Sequence, residues 1–359
     1  MPNVLIAGGG SGGHVAPAIA IAEALSDIGC TSILAHSNRR VDSMMASQTP
    51  FDCITLPAAP LSLTPVGFMS FCWGFKRTEQ HVFNFIEEAH IDCVLSTGGY
   101  VAAPALRAAK KRTCPTVLLN LDNPPGKANR LAIRWADKVL TTVKCRLRHA
   151  HQISPPLRQC VIASSNRKSC FEEFGLDPHR MTLLVTGASQ GATSINEFIP
   201  ALAKQHFAYF HGWQVLHIAG VGHVDIVKKY WEKIDIPCLV VDFVQNMGLA
   251  WGVADLAITR GGANTIAELA FNAVPAVVLP YPYHRDDHQR INAKPLAAIG
   301  GIIIEKDHVH TQLNIAHAGD TILKLLKRHQ QRLVMRQYLS AQLPTNGAIT
   351  IAETCLASI

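Results

Sequence analysis

The stretch NVLIAGGGSGGHVAP, residues 3–17, decides the fold class. Val4 to Ala7 read as a strand buried on both faces, and APAIAIAEALSDIG behind them reads as an amphipathic helix closing at Gly29. Between the two, Gly8, Gly10 and Gly13 satisfy G-x-G-x-x-G, a turn whose backbone N–H groups face whatever binds at the helix start. Alone, that pattern is a weak signal. His14 follows it directly, where a plain phosphate loop needs no ionisable side chain. An imidazole titrates near neutral pH and suits general-base work. The plainer reading is a local hydrogen bond within its own helix.

Working outward, TSILAH, CVLST, TVLLN and KVLTT follow as short apolar strands with helical segments between them. The pattern restarts at MTLLVTGASQGATSINEFIPALAKQ, residues 181–205, and continues through WQVLHIAG, CLVVDF, LAIT and AVVLP. Apolar strands alternating with helices imply parallel sheets covered on both faces. The restart makes two similar α/β domains of a chain of 359 residues, long for one domain and comfortable for two. A linker is expected in HQISPPLRQCV, residues 151–161, where Pro155 and Pro156 stop regular structure. The expected domains are residues 1–155 and 156–340, with a last helix over 341–359, broken at Pro344 to Gly347, packing back on the first.

Composition narrows the class. Hydrophobic residues make up 48% and charged residues only 16%, an apolar-rich, ordered chain. The net charge of +7 suits phosphates or anionic lipid heads and points to no nucleic-acid partner by itself. Ten cysteines are scattered without a CxxC pair, which reads as reduced thiols, and no His/Cys cluster has metal spacing. The first apolar run sits on a glycine loop without a basic leader, so it reads as a strand rather than a signal peptide. No apolar run reaches the length of a spanning helix.

A dinucleotide enzyme would want an acid after the second strand to hold the ribose. TSILAHSNRR offers Arg39 and Arg40 instead, which leaves an NADP oxidoreductase as the reading from another class. Three further stretches argue against it. STGGYVAAPA, residues 96–105, is a second glycine turn in the first domain. TGASQGA, residues 186–192, opens the second domain. In TRGGANTIAELAFNAVPAVVLPYP, residues 259–282, Gly261 and Gly262 end a strand, Ala263, Asn264 and Thr265 begin a helix, and Glu268 lies one turn in. That helix start can cradle a diphosphate while Glu268 accepts both ribose hydroxyls. A nucleotide therefore belongs to the second domain, facing the His14 loop across a cleft.

Six motifs, GGSGGHVAP, STGGYVAAP, DNPPGKANR, TGASQGA, RGGANTIAE and DHQRINA, stand in the order and spacing of the MurG family, which the chain resembles over essentially its whole length. The resemblance implies a GT-B fold of two Rossmann-like parallel-sheet domains. The activity it implies is inverting transfer of N-acetylglucosamine from UDP-N-acetylglucosamine to the C4 hydroxyl of undecaprenyl-linked N-acetylmuramyl-pentapeptide in peptidoglycan synthesis. His14 would be the catalytic base. Ser11, Gly12 and Gly13 would form the loop on the acceptor side that also reaches the donor, with Asn123 and Asn129 nearby. Arg158 and Ser189 would face the nucleotide, and Phe243 and Val244 would frame the uracil. Ala263, Asn264 and Thr265 would hold the diphosphate, Glu268 the ribose, and His288 and Gln289 the sugar hydroxyls. No metal or other cofactor is expected, and Asp286 and Asp287 read as a solvated pair. The chain departs from the family at NLDN, residues 120–123, where His-Glu-Gln-Asn is usual, and at SPPLR, residues 154–158, where Gly-Asn-Pro-Val-Arg is usual. Two more readings fit the same motifs: a transferase of this fold with another lipid or glycan acceptor, and a non-catalytic nucleotide-binding module.

VGFMSFCWGFKR, residues 66–77, has two readings. It is either a buried helix or an amphipathic element resting on an anionic membrane surface, as a lipid-linked acceptor would require. The second reading makes the protein peripheral, on the cytoplasmic face of the inner membrane.

Overall fold

The apolar runs become the strands of two wholly parallel sheets. A computed structural model describes residues 1–359 except Ser11, Leu63, Arg146 and residues 188–190, 284–286 and 343–344. The chain divides into two units, Met1–Gln159 with Thr345–Ile359, and Cys160–Pro344.

The first unit carries β1 (Asn3–Gly8), β2 (Thr31–Ser37), β3 (Asp52–Leu56), β4 (Cys93–Gly98), β5 (Thr116–Asn120), β6 (Lys138–Thr141) and β7 (Ala150–Gln152). Their order is β3-β2-β1-β4-β5-β6-β7. The second carries β8 (Met181–Thr186), β9 (Trp213–Ile218), β10 (Cys238–Val241), β11 (Leu256–Thr259), β12 (Ala276–Val278) and β13 (Ile302–Ile304), in the order β10-β9-β8-β11-β12-β13. In each sheet the order reverses once, between β1 and β4 and between β8 and β11. Open α/β sheets bind ligands at the carboxyl ends of the strands beside such a reversal.

Three strands lie outside the runs read from the sequence: β3, β7 and the short apolar β13, each at a sheet edge. An edge strand has one neighbour and keeps polar or exposed residues, as DCITL and AHQ do. Central strands are the opposite case, since Val4, Leu5, Ile6, Leu183, Leu184 and Val185 are all fully buried.

Helices cover both faces of each sheet. In the first unit Gly12–Asp27 packs on one face together with the last helix, Gly347–Leu356. Asn346 docks that last helix: its Oδ1 accepts the Leu157 N–H at 2.9 Å and its Nδ2 donates to the Leu157 carbonyl at 2.7 Å. Both backbone groups of one residue in the SPPLR stretch are thereby satisfied. The opposite face is covered by Pro65–Glu88 and Ala102–Lys111. Among the described residues no helix is long and apolar enough to cross a membrane.

One histidine belongs wholly to the second unit's interior. His217 on β9 is fully buried. Its Nδ1 accepts the Trp231 indole N–H at 3.1 Å, so Nε2 carries the proton and donates to Asn196 Oδ1 at 3.1 Å. Asn196 passes the bond on to the Ala219 carbonyl at 2.9 Å. Burial pushes the His217 pKa down to about 3. A depressed pKa means that the unfolded chain takes up a proton below about pH 6.5 while the folded chain does not, so stability falls as the pH drops. By pH 5 this site alone should cost about 2 kcal/mol. Thermal melts at pH 7 and pH 5 should show that loss in the native chain and a smaller one in His217→Gln.

Candidate active site

The reversal between β1 and β4 brings two glycine turns together. A Cβ on Gly99, whose φ is +79°, would lie 1.7 Å from the Gly9 carbonyl oxygen. Gly98, at φ +110°, faces the His14 ring, and a Cβ there would lie 2.8 Å from its Cε1. Only glycine lets STGGY pass over the first loop. The helix Gly12–Asp27 begins inside that loop and sets His14, half-buried, in its first turn.

The histidine is locked from two sides. Its Nδ1 lies 2.9 Å from the Thr97 carbonyl oxygen, and Thr97 Oγ1 donates to the His14 carbonyl at 2.8 Å. A carbonyl only accepts, so Nδ1 carries the proton and Nε2 is left with the lone pair of a base. Asn129 lies alongside, buried, its Nδ2 donating to Asn120 Oδ1 at 3.1 Å. Its own Oδ1 has no hydrogen-bond partner among the described residues and points near Gly98.

The loop itself is pinned by residues that sequence reasoning passed over or assigned elsewhere. Asp42, fully buried, accepts the Gly10 N–H at 2.6 Å and the Ser37 hydroxyl at 2.6 Å. Arg39 donates to the Gly10 carbonyl at 2.7 Å and lies over the Tyr100 ring. Arg39, one of the two arginines that the sequence offered to a 2′-phosphate, is therefore engaged by the protein's own backbone.

In the second unit the reversal lies between β8 and β11. The helix Ala263–Phe271 starts after β11, and Gly262 at its N-cap gives no side-chain cap. The N–H groups of Ala263, Asn264 and Thr265 thus have no intrahelical acceptor. Ala263 and Asn264 are exposed. Glu268, one turn further, accepts the Trp251 indole N–H at Oε2, 2.9 Å away. Gln289 turns its Oε1 to the Tyr281 N–H at 2.8 Å and the Gly261 N–H at 3.3 Å, which leaves its amide nitrogen as the donor end. A Cβ on Gly261 would lie 2.3 Å from the Gln289 carbonyl, so the two turns must touch backbone to backbone.

Behind this turn Arg260 is buried in a network absent from the sequence reading. It donates to Asp307 Oδ2 at 2.6 Å, to Ser194 Oγ at 2.8 Å and to the Leu279 carbonyl at 2.8 Å. Ser194 in turn donates to Asp307 Oδ2 at 2.6 Å. Burial pushes the Asp307 carboxyl up, but bonds from Ser194, Asn314 and the Val309 N–H, with the charge of Arg260, reverse this and hold it below the ordinary range. The network ties the ends of β11 and β12 to the helix Thr193–Gln205.

The other expected residues fall as follows. Gly12 and Gly13 open the His14 helix. Asn123 is exposed in the loop after β5, before a cis bond to Pro124. Arg158 lies in the first unit, half-buried, where its charge and the Gln159 N–H act on Glu23, whose carboxyl burial raises above its usual value. Phe243 is 51% exposed and Val244 9%. His288 is exposed and Asp287, with φ +48°, precedes it. Ser11, Ser189 and Asp286 lie outside the described residues.

Two parallel-sheet units of this kind, each with a glycine turn at its reversal, make a GT-B fold, and both halves of the chain match glycosyltransferase domains. Residues 4–141 match the glycosyltransferase family 28 N-terminal domain and residues 182–341 the glycosyltransferase family 28 C-terminal domain. The chain is 34% identical over 319 residues to the UDP-N-acetylglucosamine–N-acetylmuramyl-(pentapeptide) pyrophosphoryl-undecaprenol N-acetylglucosamine transferase of Streptomyces coelicolor, covering 85% of each chain. It is 36% identical over 316 residues to the Acidothermus cellulolyticus enzyme of the same name, again covering 85% of each. Among solved structures, Acinetobacter baumannii MurG superposes with a TM-score of 0.77 at 22% identity, over 99% of this chain and 100% of that one. The chain belongs to glycosyltransferase family 28 and, within it, to the MurG family of N-acetylglucosamine transferases.

Gly99→Ala should force the two turns of the first unit apart. Strained φ and the clash with Gly9 together should lower stability by about 2 kcal/mol or more. Turnover should fall further than donor affinity, because the displaced turn carries the Thr97 carbonyl that sets His14. Melting curves beside steady-state kinetics would check this, and native values for both would contradict it.

Proposed function

We infer that this protein transfers N-acetylglucosamine from UDP-N-acetylglucosamine to the C4 hydroxyl of undecaprenyl-linked N-acetylmuramyl-pentapeptide, the step that completes the disaccharide of the peptidoglycan precursor. The observation that carries the reading is the imidazole at the first unit's strand reversal, its Nε2 left as acceptor by the 2.9 Å contact of Nδ1 with Thr97. His14 Nε2 takes the proton of the C4 hydroxyl as its oxygen attacks the donor's anomeric carbon. The bond from that carbon to the diphosphate oxygen breaks, UDP leaves with the electron pair, and the configuration inverts. The leaving diphosphate is stabilised by the uncapped N–H groups of Ala263, Asn264 and Thr265.

The second unit is the donor domain in this reading. Glu268 holds the ribose, Val244 and Phe243 flank the base, and Gln289, with His288 beside it, donates to the sugar hydroxyls. Ser189 adds to the diphosphate site. The first unit, with Ser11, Gly12, Gly13, Asn123 and Asn129 around His14, takes the acceptor, and Arg158 serves the nucleotide. The direct test incubates the protein with labelled UDP-N-acetylglucosamine and the lipid-linked muramyl-pentapeptide. The labelled disaccharide lipid should form. Donor binding without transfer, or thermal stabilisation by NADPH alone, would overturn the assignment. His14→Ala should leave UDP affinity nearly intact and lower kcat by about 10²–10⁴-fold, the usual worth of a positioned base. An equal fall in UDP affinity would place His14 at the nucleotide instead.

The acceptor's lipid requires a membrane surface, which we place at the cytoplasmic face of the cell membrane, and one helix supports peripheral attachment. In Pro65–Glu88, Val66, Met69 and Trp73 are 80%, 71% and 62% exposed and fall on one stripe at i, i+3 and i+7. Phe71 and Phe75 turn partly inward, and Phe75 packs against the core. Arg77, four residues beyond Trp73 on the same stripe, lies 4.3 Å over its ring, an amphipathic pair suited to the lipid interface. Each inserted apolar side chain contributes about 1.5–3 kcal/mol when fully buried. Replacing Val66, Met69 and Trp73 with Ser should therefore cut partitioning onto anionic vesicles by at least about tenfold. UDP binding should be unchanged in the same variant. Co-sedimentation beside UDP titration reads both, and joint loss would assign these residues to folding instead.

A further inference from the structure

Glu268 is held by more of the protein than a ribose acid on a helix surface needs. Its backbone carbonyl accepts the Asn272 side-chain N–H at 2.9 Å. Asn272 also donates to the Val161 carbonyl at 2.9 Å and accepts the Ala163 N–H at 2.8 Å, which fixes this end of the helix to the segment 161–163. Its carboxylate Oε2 accepts the Trp251 indole N–H at 2.9 Å. Trp251 sits on the helix Met247–Val253, is 2% exposed, and shares a core cluster with Phe171, Ile266 and Leu269. The indole therefore cannot follow the carboxylate if the carboxylate turns.

We propose that Trp251 is a positioning residue for the nucleotide's ribose: its indole N–H fixes one oxygen of Glu268 so that the carboxylate meets the 2′- and 3′-hydroxyls in one set orientation. The proposal rests on the reading of Glu268 as the ribose acid. A glutamate side chain has three soft torsions, and a two-point contact with a cis-diol demands that all three be set before binding. An indole N–H is a donor only, on a side chain with two torsions that are already locked by packing. A buried tryptophan needs a partner for its one polar atom, and here it finds it on a half-buried carboxylate at the candidate site rather than on a core carbonyl. The pairing lies within the second unit and makes no contact with the reacting atoms, so Trp251 acts through Glu268.

The effect is readable as selectivity for the hydroxyls. Calorimetric titration of the full chain with UDP and with 2′-deoxy-UDP gives the preference for ribose. In Trp251→Phe, which keeps an aromatic ring and removes the donor, UDP affinity should fall about three- to tenfold. Affinity for 2′-deoxy-UDP should move less than about twofold, so the preference narrows. The donor KM should rise in step, while the acceptor KM stays and kcat at saturating donor changes little. Glu268→Gln should collapse the same preference, and adding Trp251→Phe to it should remove nothing further. Should the Phe variant not fold, 3-benzothienylalanine at position 251, with sulfur in place of the N–H and nearly the same shape, replaces it in every measurement. A parallel fall for both nucleotides in the Trp251 variant, with Glu268→Gln behaving as expected, overturns the role of Trp251 alone. An unchanged preference in Glu268→Gln overturns the ribose reading and the proposal with it.

Discussion

In the first unit the turn after β1 and the turn after β4 pass so close that the backbone of one stands where a side chain of the other would be, and the site's chemistry depends on that approach. Gly99 lies over the Gly9 carbonyl and Gly98 against the His14 ring. The same approach delivers the Thr97 carbonyl to Nδ1. In the mechanism we propose, the base nitrogen is thus selected by backbone packing, with a carbonyl in the place of the carboxylate that often orients a catalytic histidine. A carbonyl offers Nδ1 only the negative end of a dipole, where a carboxylate would bring a full charge.

The second unit solves the equivalent problem with side chains. Gly261 and Gln289 touch backbone to backbone, and behind them Arg260, Ser194 and Asp307 join three elements through one fully bonded carboxylate. Removing Arg260 or Asp307 would strand a buried charge, which is far more destabilising than the pair itself is stabilising. The network therefore fixes where the helix start Ala263–Phe271 can sit. Trp251 and Asn272 continue the pattern one turn along, from the helix start to the acid on its flank.

The sequence made the central strands, the glycine turns and the restart at residue 181 legible because each is a local signal: an apolar run, a residue type, a repeat. The edge strands β3 and β7 were not legible, since a strand with one neighbour need not be apolar on both faces, and β13, though wholly isoleucine, is a run of only three residues. His14 could be singled out by its place after the loop, but its tautomer could not, because the deciding partner is a backbone carbonyl 83 residues away. Trp251 and Asp307 gave no signal at all; a buried tryptophan and a lone aspartate are ordinary residues until their partners, 17 and 47 positions away, are brought to them. The aromatic run at 66–77 was ambiguous for a related reason. Its composition fits core and interface alike, and only the register of the helix decides which side chains turn outward.

Two units that share the strand order apart from one extra edge strand in the first thus end in glycine turns with opposite electrostatic character. In the first, the Gly10 N–H, which a phosphate-binding loop would offer to its ligand, is taken by the buried Asp42 carboxylate, and Arg39 is spent on the Gly10 carbonyl. An anion approaching that turn meets a carboxylate behind it and finds one donor fewer. In the second, the helix start after Gly262 has no side-chain cap, and its first N–H groups can serve a ligand. The pattern G-x-G-x-x-G was therefore a reliable sign of a strand-turn-helix and a poor sign of a dinucleotide, since the motif fixes backbone shape while residues after β2 decide what its N–H groups face. By the same logic we place the leaving diphosphate at the second unit and leave the first turn, with the His14 imidazole, to the acceptor hydroxyl.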